Sequence, residues 1–173
     1  MQDVLEKAAH IKLLVFDVDG VLTDGGLFFG DDGQEYKAFY SRDGLGMKLL
    51  KQTGVEIGVI TARDSKVVEH RMQNLGIENV YQGKLNKLDA FEHMLAKLQI
   101  SAKQTAYVGD DVVDLPVMKR AGLAIAVQDA HPFVKQHAHW VTQHGGGRGA
   151  ARDVCELIMQ AQGTLETQLN SFL

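Results

Sequence analysis

The sequence has one cysteine and no hydrophobic run of the length that crosses a bilayer. The lone Cys155 cannot form a disulfide within the chain, which is typical of a reducing compartment. A membrane span takes about 20 apolar residues, and the first residues lack the basic and apolar regions of a secretion signal. No basic stripe accompanies the net charge of −4, so nucleic-acid binding is not expected. A cytoplasmic protein with neither a membrane nor a nucleic-acid partner is therefore predicted.

The 173 residues suffice for a sizeable core, and a hydrophobic content of 45% is that of a globular chain. Strand-like runs alternate with helical stretches, which favours a mostly parallel sheet in a Rossmann-like, doubly wound α/β fold. No repeat, linker or change of composition divides the chain, so residues 1–173 are predicted to form a single domain. Strands are predicted over residues 13–16, 55–60, 79–81, 105–108, 123–127 and 139–142, and helices over residues 44–52, 65–75, 87–98, 113–120 and 150–160.

Two aspartates, Asp17 and Asp19, directly follow the first apolar run. A run with so few polar residues is typical of a parallel strand buried on both faces. Carboxylates at the end of such a strand are costly unless a cation or hydrogen bonds compensate them. Gly20 lets the chain turn sharply, so both side chains can face one site at the carboxyl end of the sheet, where open α/β sheets bind ligands. One carboxylate can then act as a nucleophile while the other moves protons.

A second acidic cluster, consisting of Asp110, Asp111 and Asp114, follows the strand predicted over residues 105–108. Either cluster alone is more often a solvated turn or a helix cap. Two strands that deliver carboxylates to the same edge of a sheet instead predict one site for a hard cation. Mg²⁺ suits such a site, because it takes oxygen ligands from one or two carboxylates and from a substrate phosphate.

These motifs resemble those of the phosphatases of the haloacid dehalogenase superfamily, through four separated segments that cover nearly the whole chain. The resemblance implies that Asp17 is the nucleophile and forms an aspartyl-phosphate, and that Asp19 is the general acid and base. It also implies that Thr61 and Lys87 are catalytic residues that bind the transferred phosphoryl group. Lys84 is an alternative lysine, but Lys87 matches the spacing of the motif.

The metal site that the resemblance implies is formed by Asp17, Asp110 and the backbone carbonyl of Asp19. Asp111 is included in the predicted metal set, either through water or because it orients Lys87. Asp114 is predicted to support the site from behind, with a capping or surface role as the alternative.

Residues 17–25, 81–87 and 145–152 resemble, more narrowly, the branch of the superfamily that acts on phosphorylated sugar acids. The expected substrate is 3-deoxy-D-manno-octulosonate 8-phosphate, in lipopolysaccharide precursor synthesis. The alternatives are a nine-carbon sugar acid 9-phosphate and a non-catalytic, oligomerising relative. Arginine suits the recognition of a sugar carboxylate. The predicted substrate contacts, besides Thr61 and Lys87, are Arg63, Arg71 and Arg148, with Lys37, Arg42, Lys66 and Arg152 as further candidates.

Residues 26–40 interrupt the alternation of strands and helices. They form two short aromatic-rich runs around an Asp-Asp-Gly turn, which predicts a β-hairpin insertion. Too few residues separate Thr61 from Lys87 to form a cap domain, so no cap is predicted. The hairpin either packs on its own domain or pairs with other subunits. The resemblance implies the second arrangement, a homotetramer assembled through such hairpins.

Overall fold

The apolar runs of the sequence form six strands of one sheet in a computed structural model that describes residues 1–173. All strand pairs in this sheet are parallel, and the strand order is β5-β4-β1-β6-β7-β8. The strands are β1 (Leu13–Phe16), β4 (Glu56–Ile60), β5 (Asn79–Tyr81), β6 (Thr105–Gly109), β7 (Leu123–Ala126) and β8 (Trp140–Val141), and a separate pair consists of β2 (Phe28–Phe29) and β3 (Glu35–Tyr36).

Eight α-helices flank the sheet in two packed groups, so the predicted doubly wound fold is confirmed. One group is built around the contacts of α7 with α1 and α2, and the other around the contacts of α5 with α4 and α6. None of the helices is both long and apolar enough to cross a membrane. The helices are α1 (Gln2–Ala8), α2 (Ser41–Gln52), α3 (Lys66–Leu75), α4 (Lys87–Leu98), α5 (Leu115–Arg120), α6 (Pro132–His137), α7 (Ala150–Ala161) and α8 (Leu165–Asn170), with 3₁₀ turns at Ala102–Gln104 and Val112–Asp114.

Strand β1 lies in the middle of the sheet and is buried along its whole length. The chain runs from β1 outward through β4 and β5, and then crosses to the other side of β1 to form β6, β7 and β8. The direction of the strand order therefore reverses next to β1. In open α/β sheets, ligands bind at the carboxyl ends of the strands beside such a reversal.

The predicted hairpin is present, but its strands are only two residues long. Phe28 pairs with Tyr36 and Phe29 pairs with Glu35. Phe28, Phe29 and Tyr36 are 57%, 59% and 56% exposed, so more than half of the surface of each residue faces solvent in the single chain. Between β4 and α4 the chain forms only α3 and β5, which leaves no cap domain over the end of the sheet.

Candidate active site

Three neighbouring strands bring predicted site residues to one edge of the sheet. Asp17 follows β1, Thr61 follows β4 and Asp110 follows β6, and β1 lies between the other two. The backbone N–H of Asp17 donates to the carbonyl of Val108 at 3.1 Å, so the parallel pairing of β1 and β6 extends to the first acidic residue. Asp17 and Asp110 therefore lie just after the two strands between which the strand order reverses.

The loop after Asp17 turns across the end of β6 at Gly20. Gly20 has a φ of +88°, and a Cβ atom at this position would collide with the carboxylate of Asp110. A residue with a side chain could therefore not hold this turn while Asp110 stays in place. The backbone of Asp110 donates to Asp114 at 3.0 Å, whereas its own half-buried carboxylate accepts no hydrogen bond from the protein. That carboxylate is available to a ligand.

Lys87 connects the two acidic clusters. Its Nζ lies 2.8 Å from Oδ2 of Asp17 and 2.8 Å from Oδ1 of Asp114. Asp17 and Lys87 are 6% and 4% exposed, and Asp114 is fully buried. Asn86 caps the start of α4, since its side chain accepts from the N–H of Asp89. Lys87 is thus the first residue of a capped helix, which fixes the place from which its side chain reaches the site.

Asp114, and not the predicted Asp111, contacts Lys87. The Val112–Asp114 turn directs the two side chains differently: Asp111 is exposed and accepts from the N–H of Val112 at 2.7 Å. Both oxygens of Asp114 are occupied, because Oδ1 also accepts from the hydroxyl of Tyr107 at 2.8 Å and Oδ2 accepts from two backbone N–H groups. Of the two roles predicted for Asp111, the orientation of Lys87 therefore belongs to Asp114, which was predicted to support the site.

The acidic residues outnumber the cation that compensates them. Burial raises the pKa of Asp17, and burial together with Asp114 and Asp17 raises that of Asp110 to about 7. Burial by itself would lower the pKa of Lys87, but Asp114 and Asp17 outweigh it and raise the value, so Lys87 is an ammonium ion. Since Asp17, Asp110 and Asp114 face this one ammonium group, the fully ionised cluster carries two excess negative charges.

A divalent cation fits this cluster. One oxygen from each of Asp17, Asp110 and Asp114 lies within 4.8 Å of the others. Each oxygen of Asp114 already has two hydrogen-bond partners, whereas each oxygen of Asp17 has one and the carboxylate of Asp110 has none. Asp17 and Asp110 are therefore the carboxylates that could bind the cation directly. Hard oxygen donors and the absence of histidine or cysteine from the cluster suit Mg²⁺ better than Zn²⁺. Asp111, a member of the predicted metal set, lies outside the cluster.

Thr61 is 2% exposed and lies at the end of β4. Its backbone extends the pairing of β4 and β5, since its N–H donates to the carbonyl of Tyr81 at 2.9 Å. The hydroxyl oxygen accepts a long hydrogen bond, 3.4 Å, from the N–H of Arg63 and keeps its own proton for another acceptor. This arrangement is compatible with the predicted phosphate contact.

Asp19 lies on the loop after β1. Lys37 of the hairpin and Arg63, which follows β4, lie near its carboxylate. Oδ1 of Asp19 lies 2.5 Å from Nζ of Lys37, and Oδ2 lies 3.9 Å from Nε of Arg63. Glu35 binds both cations, at 3.1 Å and 3.0 Å. Lys37, which the sequence presented as one of several possible substrate contacts, is instead buried against the predicted acid–base residue.

The predicted arginine contacts lie in different surroundings. The side chain of Arg63 is 41% exposed, and its Nε lies 3.9 Å from Asp19, so Arg63 faces the site. Arg148 binds Asp24, seven residues after Asp17, at 3.1 Å. Arg71 instead stacks on Phe39 and reaches the carbonyl of Tyr40, so it contacts the end of the hairpin and not the acidic cluster.

The glycine-rich segment of residues 145–149 packs against the loop that carries Asp19. The N–H of Gly147 donates to the carbonyl of Val21 at 2.9 Å. A Cβ atom at Gly146 or Gly147 would collide with the backbone of Gly20 or Thr23. The segment therefore supports the active-site loop of its own chain.

Three contacts of the site were not predicted: those of Lys37 with Asp19, of Asp114 with Lys87 and of Tyr107 with Asp114. Tyr107 is fully buried, and a buried tyrosine hydroxyl needs a hydrogen-bond partner. The position of Tyr107 within the buried strand, two residues before Gly109, could therefore have indicated that its hydroxyl binds a polar group of the site. The contact of Lys37 has no comparable signal, because it depends on how the hairpin folds back.

The comparisons with known proteins agree with this geometry. A family model described as haloacid dehalogenase-like hydrolase matches residues 77–152, which include Lys87 and Asp110. The 3-deoxy-D-manno-octulosonate 8-phosphate phosphatase KdsC of Escherichia coli strain K12 is 50% identical over 164 residues, which cover 95% of this chain and 87% of the relative.

Solved structures give the same result. The 3-deoxy-D-manno-octulosonate 8-phosphate phosphatase from Yersinia pestis is 49% identical, with a TM-score of 0.94 and coverage of 95% of this chain and 89% of the other. The enzyme of the same name from Moraxella catarrhalis, solved with magnesium, phosphate and KDO, is 40% identical, with a TM-score of 0.98 and coverage of 100% and 99%.

Fold and site thus place the chain in the class of haloacid dehalogenase-like hydrolases. Within that class, it belongs to the family of 3-deoxy-D-manno-octulosonate 8-phosphate phosphatases.

Proposed function

We propose that this chain is a Mg²⁺-dependent phosphatase that hydrolyses 3-deoxy-D-manno-octulosonate 8-phosphate to the free sugar acid and phosphate, a step of lipopolysaccharide precursor synthesis. The observation that carries this proposal is the buried contact of Asp17 with Lys87 beside Asp110, in a chain 50% identical to phosphatases of that name. A phosphomonoester hydrolase needs a nucleophile, a cation and a group that compensates the phosphoryl charge. Asp17, the metal site and Lys87 provide these three.

Two chemical steps follow from the arrangement of Asp17 and Asp19. In the first, an oxygen of Asp17 bonds to phosphorus while the bond from phosphorus to the sugar oxygen breaks, and Asp19 gives its proton to that oxygen. In the second, Asp19 takes a proton from water, whose oxygen bonds to phosphorus as the aspartyl-phosphate bond breaks. Thr61 donates to a phosphoryl oxygen, and Lys87 compensates negative charge on the phosphoryl group and on Asp17.

Asp17 and Asp110 would hold the Mg²⁺, and the backbone carbonyl of Asp19 is the proposed third ligand from the protein. When bound, the ion compensates the charge of the carboxylates and of the phosphate. Asp114 contributes by keeping Lys87 and the backbone of Asp110 in place, and its buried oxygens have no free position for a ligand.

Arg63 is the proposed contact for the sugar carboxylate, because its guanidinium is partly exposed beside Asp19 and is held by Glu35. Arg148 is a second proposed contact, since the segment that carries it packs on the active-site loop. Arg71 is not preferred for this role, because its guanidinium contacts the carbonyl of Tyr40 and the ring of Phe39.

We also propose that residues 1–173 act as one domain and that the chain forms a homotetramer through its hairpins. The support is the exposure of Phe28, Phe29 and Tyr36 in a chain without a cap over its site. Exposed aromatic clusters are typical of interaction surfaces. A cytoplasmic location stays a prediction.

Steady-state kinetics on phosphorylated sugar acids test the proposed function. We expect the largest kcat/KM with 3-deoxy-D-manno-octulosonate 8-phosphate. A preference for the nine-carbon 9-phosphate would correct the substrate. No phosphate release from either compound in the presence of Mg²⁺ would favour the non-catalytic relative. Asp17→Asn, checked for deamidation by mass spectrometry, should abolish turnover and leave the fold intact, because an amide is a poor nucleophile.

A further inference from the structure

The hairpin brings a buried ammonium group to Asp19. Lys37 follows β3 directly, and its side chain is only 1% exposed. Its Nζ is shared between Oδ1 of Asp19, at 2.5 Å, and Oε1 of Glu35, at 3.1 Å. A lysine is rarely buried unless it is paired, and burial of the ammonium group removes the freedom that makes surface ion pairs weak. The contact therefore fixes the side chain of Asp19.

The two oxygens of Asp19 have different surroundings. Oδ1 is occupied by Lys37. Oδ2 has no hydrogen-bond partner in the protein, and Nε of Arg63 lies 3.9 Å from it, which is beyond hydrogen-bond distance. The side chain of Asp19 keeps 19% of its surface exposed, so a substrate can approach the oxygen that is not bound.

We propose that Lys37 is the positioning residue for Asp19: it anchors Oδ1 so that Oδ2 is presented to the leaving oxygen and later to water. This inference rests on the proposed phosphatase function. It assigns to the hairpin a direct part in the chemistry of its own subunit, separate from any part in assembly.

Glu35 bridges the two neighbouring cations. Its Oε1 accepts from Lys37 at 3.1 Å and from Arg63 at 3.0 Å. Because an anion lies between them, Lys37 stays on Oδ1 of Asp19 while Arg63 remains outside hydrogen-bond distance of Oδ2. Glu35 pairs with Phe29 in the hairpin, so the register of this short strand pair sets where both cations lie.

The role predicts a dependence on the leaving group. In the first step the proton of Oδ2 moves to the departing oxygen as its bond to phosphorus breaks and the bond from Asp17 forms. A sugar alkoxide is a poor leaving group without that proton, whereas a nitrophenolate leaves readily without it. A misplaced Asp19 should therefore impair the sugar phosphate much more than 4-nitrophenyl phosphate.

The test compares kcat/KM, which reports only the steps through the first phosphoryl transfer, for both substrates in the full-length chain. For Lys37→Met we expect a loss of about 100-fold with the sugar acid phosphate and of less than about 10-fold with 4-nitrophenyl phosphate. Asp19→Asn should show the same inequality to a greater degree. Lys37→Arg, which keeps a cation that can bind Oδ1, should restore part of the loss with the sugar phosphate.

Lys48→Met, which removes an exposed lysine of α2, is the matched control and should leave both values near those of the wild type. If Lys37→Met does not fold, Lys37→Gln removes the charge and shortens the side chain, so that Oδ1 of Asp19 loses its anchor, and the same inequality is expected. Equal losses with both substrates in a folded Lys37 variant, or no loss, would overturn the inference alone. A wild-type chain that hydrolyses neither compound would overturn the proposed function, and the inference with it.

Discussion

Nζ of Lys87 donates a 2.8 Å hydrogen bond to Oδ1 of Asp114, a carboxylate with no exposed surface. The same nitrogen lies 2.8 Å from Oδ2 of Asp17. Asp114, whose two oxygens are fully hydrogen-bonded, therefore fixes the ammonium group of Lys87. The same group contacts Asp17, the proposed nucleophile. The hydroxyl of Tyr107 completes the support of Asp114 from within β6.

The first prediction separates the two acids of the second cluster. Asp114→Asn should lower kcat by roughly 10–100-fold, because Lys87 and the backbone of Asp110 lose their support. It should lower the free energy of unfolding by about 3 kcal/mol, the lower end for a broken buried pair, since Asp17 still compensates Lys87. Steady-state kinetics and urea unfolding measure the two effects.

Asp111→Asn is the matched comparison. Its side chain is exposed and an amide can still accept from the N–H of Val112, so the free energy of unfolding should change by less than about 0.5 kcal/mol and the loss of kcat should be smaller. A loss of activity for Asp111→Asn as large as that for Asp114→Asn would instead favour the metal set predicted from the sequence.

Removal of the metal is the second prediction. Chelation should abolish phosphate release, added Mg²⁺ should restore it, and Ca²⁺ should restore it poorly because of its looser coordination. Mg²⁺ should also stabilise the folded chain, by about 2.7 kcal/mol at 100 times its Kd. Asp110→Asn should lose most of this stabilisation in thermal unfolding. Full activity after exhaustive chelation would contradict the metal assignment.

The third prediction concerns pH and a carboxylate outside the catalytic cluster. Burial raises the pKa of Asp43 above its usual 3.8. Oδ1 accepts from the N–H of Arg152 at 2.9 Å, whereas Oδ2 is buried without a partner. Because Asp43 ionises at a lower pH in the unfolded chain, its ionisation reduces stability as the pH rises from 3.8 to the higher pKa of the folded state. Above that pKa the penalty is constant.

Asp43→Asn keeps an acceptor for the N–H of Arg152 and removes the titration. The free energy of unfolding of the variant, minus that of the wild type, should therefore increase with pH through this window and then level off. Urea unfolding of both proteins over roughly pH 4 to 8 measures the difference, in which the titrations of the other carboxylates cancel. A difference that is independent of pH would show that the pKa of Asp43 is the same in the folded and unfolded chains, and a difference that falls as the pH rises would show that folding lowers it; either result would contradict the prediction.

The centre of the sheet was predictable because β1, β6 and β7 are buried along their whole length. Residues 13–16 form a strand with the predicted bounds, since a continuous apolar run allows few other placements. Residues 79–81 also form a strand with the predicted bounds. Helices α1, α6 and α8 were not predicted. They have six or seven residues each, which is too short for a clear helical period, so contacts with the rest of the fold determine them.

Only the site residues that directly follow strands could be placed from the sequence. Asp17, Thr61 and Asp110 follow neighbouring strands, and parallel strands end at one edge of a sheet. Whether Asp111 or Asp114 turns inward depends on a single 3₁₀ turn, and the sequence pattern does not resolve one residue in such a turn. The pairing of Lys37 with Asp19 depends on the path of the whole hairpin, for which the local pattern gives only the turn.

The last prediction concerns assembly. Phe28→Ser combined with Phe29→Ser should reduce the size of the oligomer in sedimentation velocity, because these side chains are 57% and 59% exposed in the single chain and aromatic residues are enriched in interface cores. Phe172→Ser removes an aromatic residue of similar exposure, 64%, near the end of the chain and should leave the assembly unchanged.

Turnover of the hairpin variant should also fall, since the strand that pairs with Phe28 and Phe29 precedes Lys37. A wild-type chain that sediments as a fully active monomer at micromolar concentration would exclude the tetramer, and exclusion of water from a site without a cap would then have to come from the substrate itself.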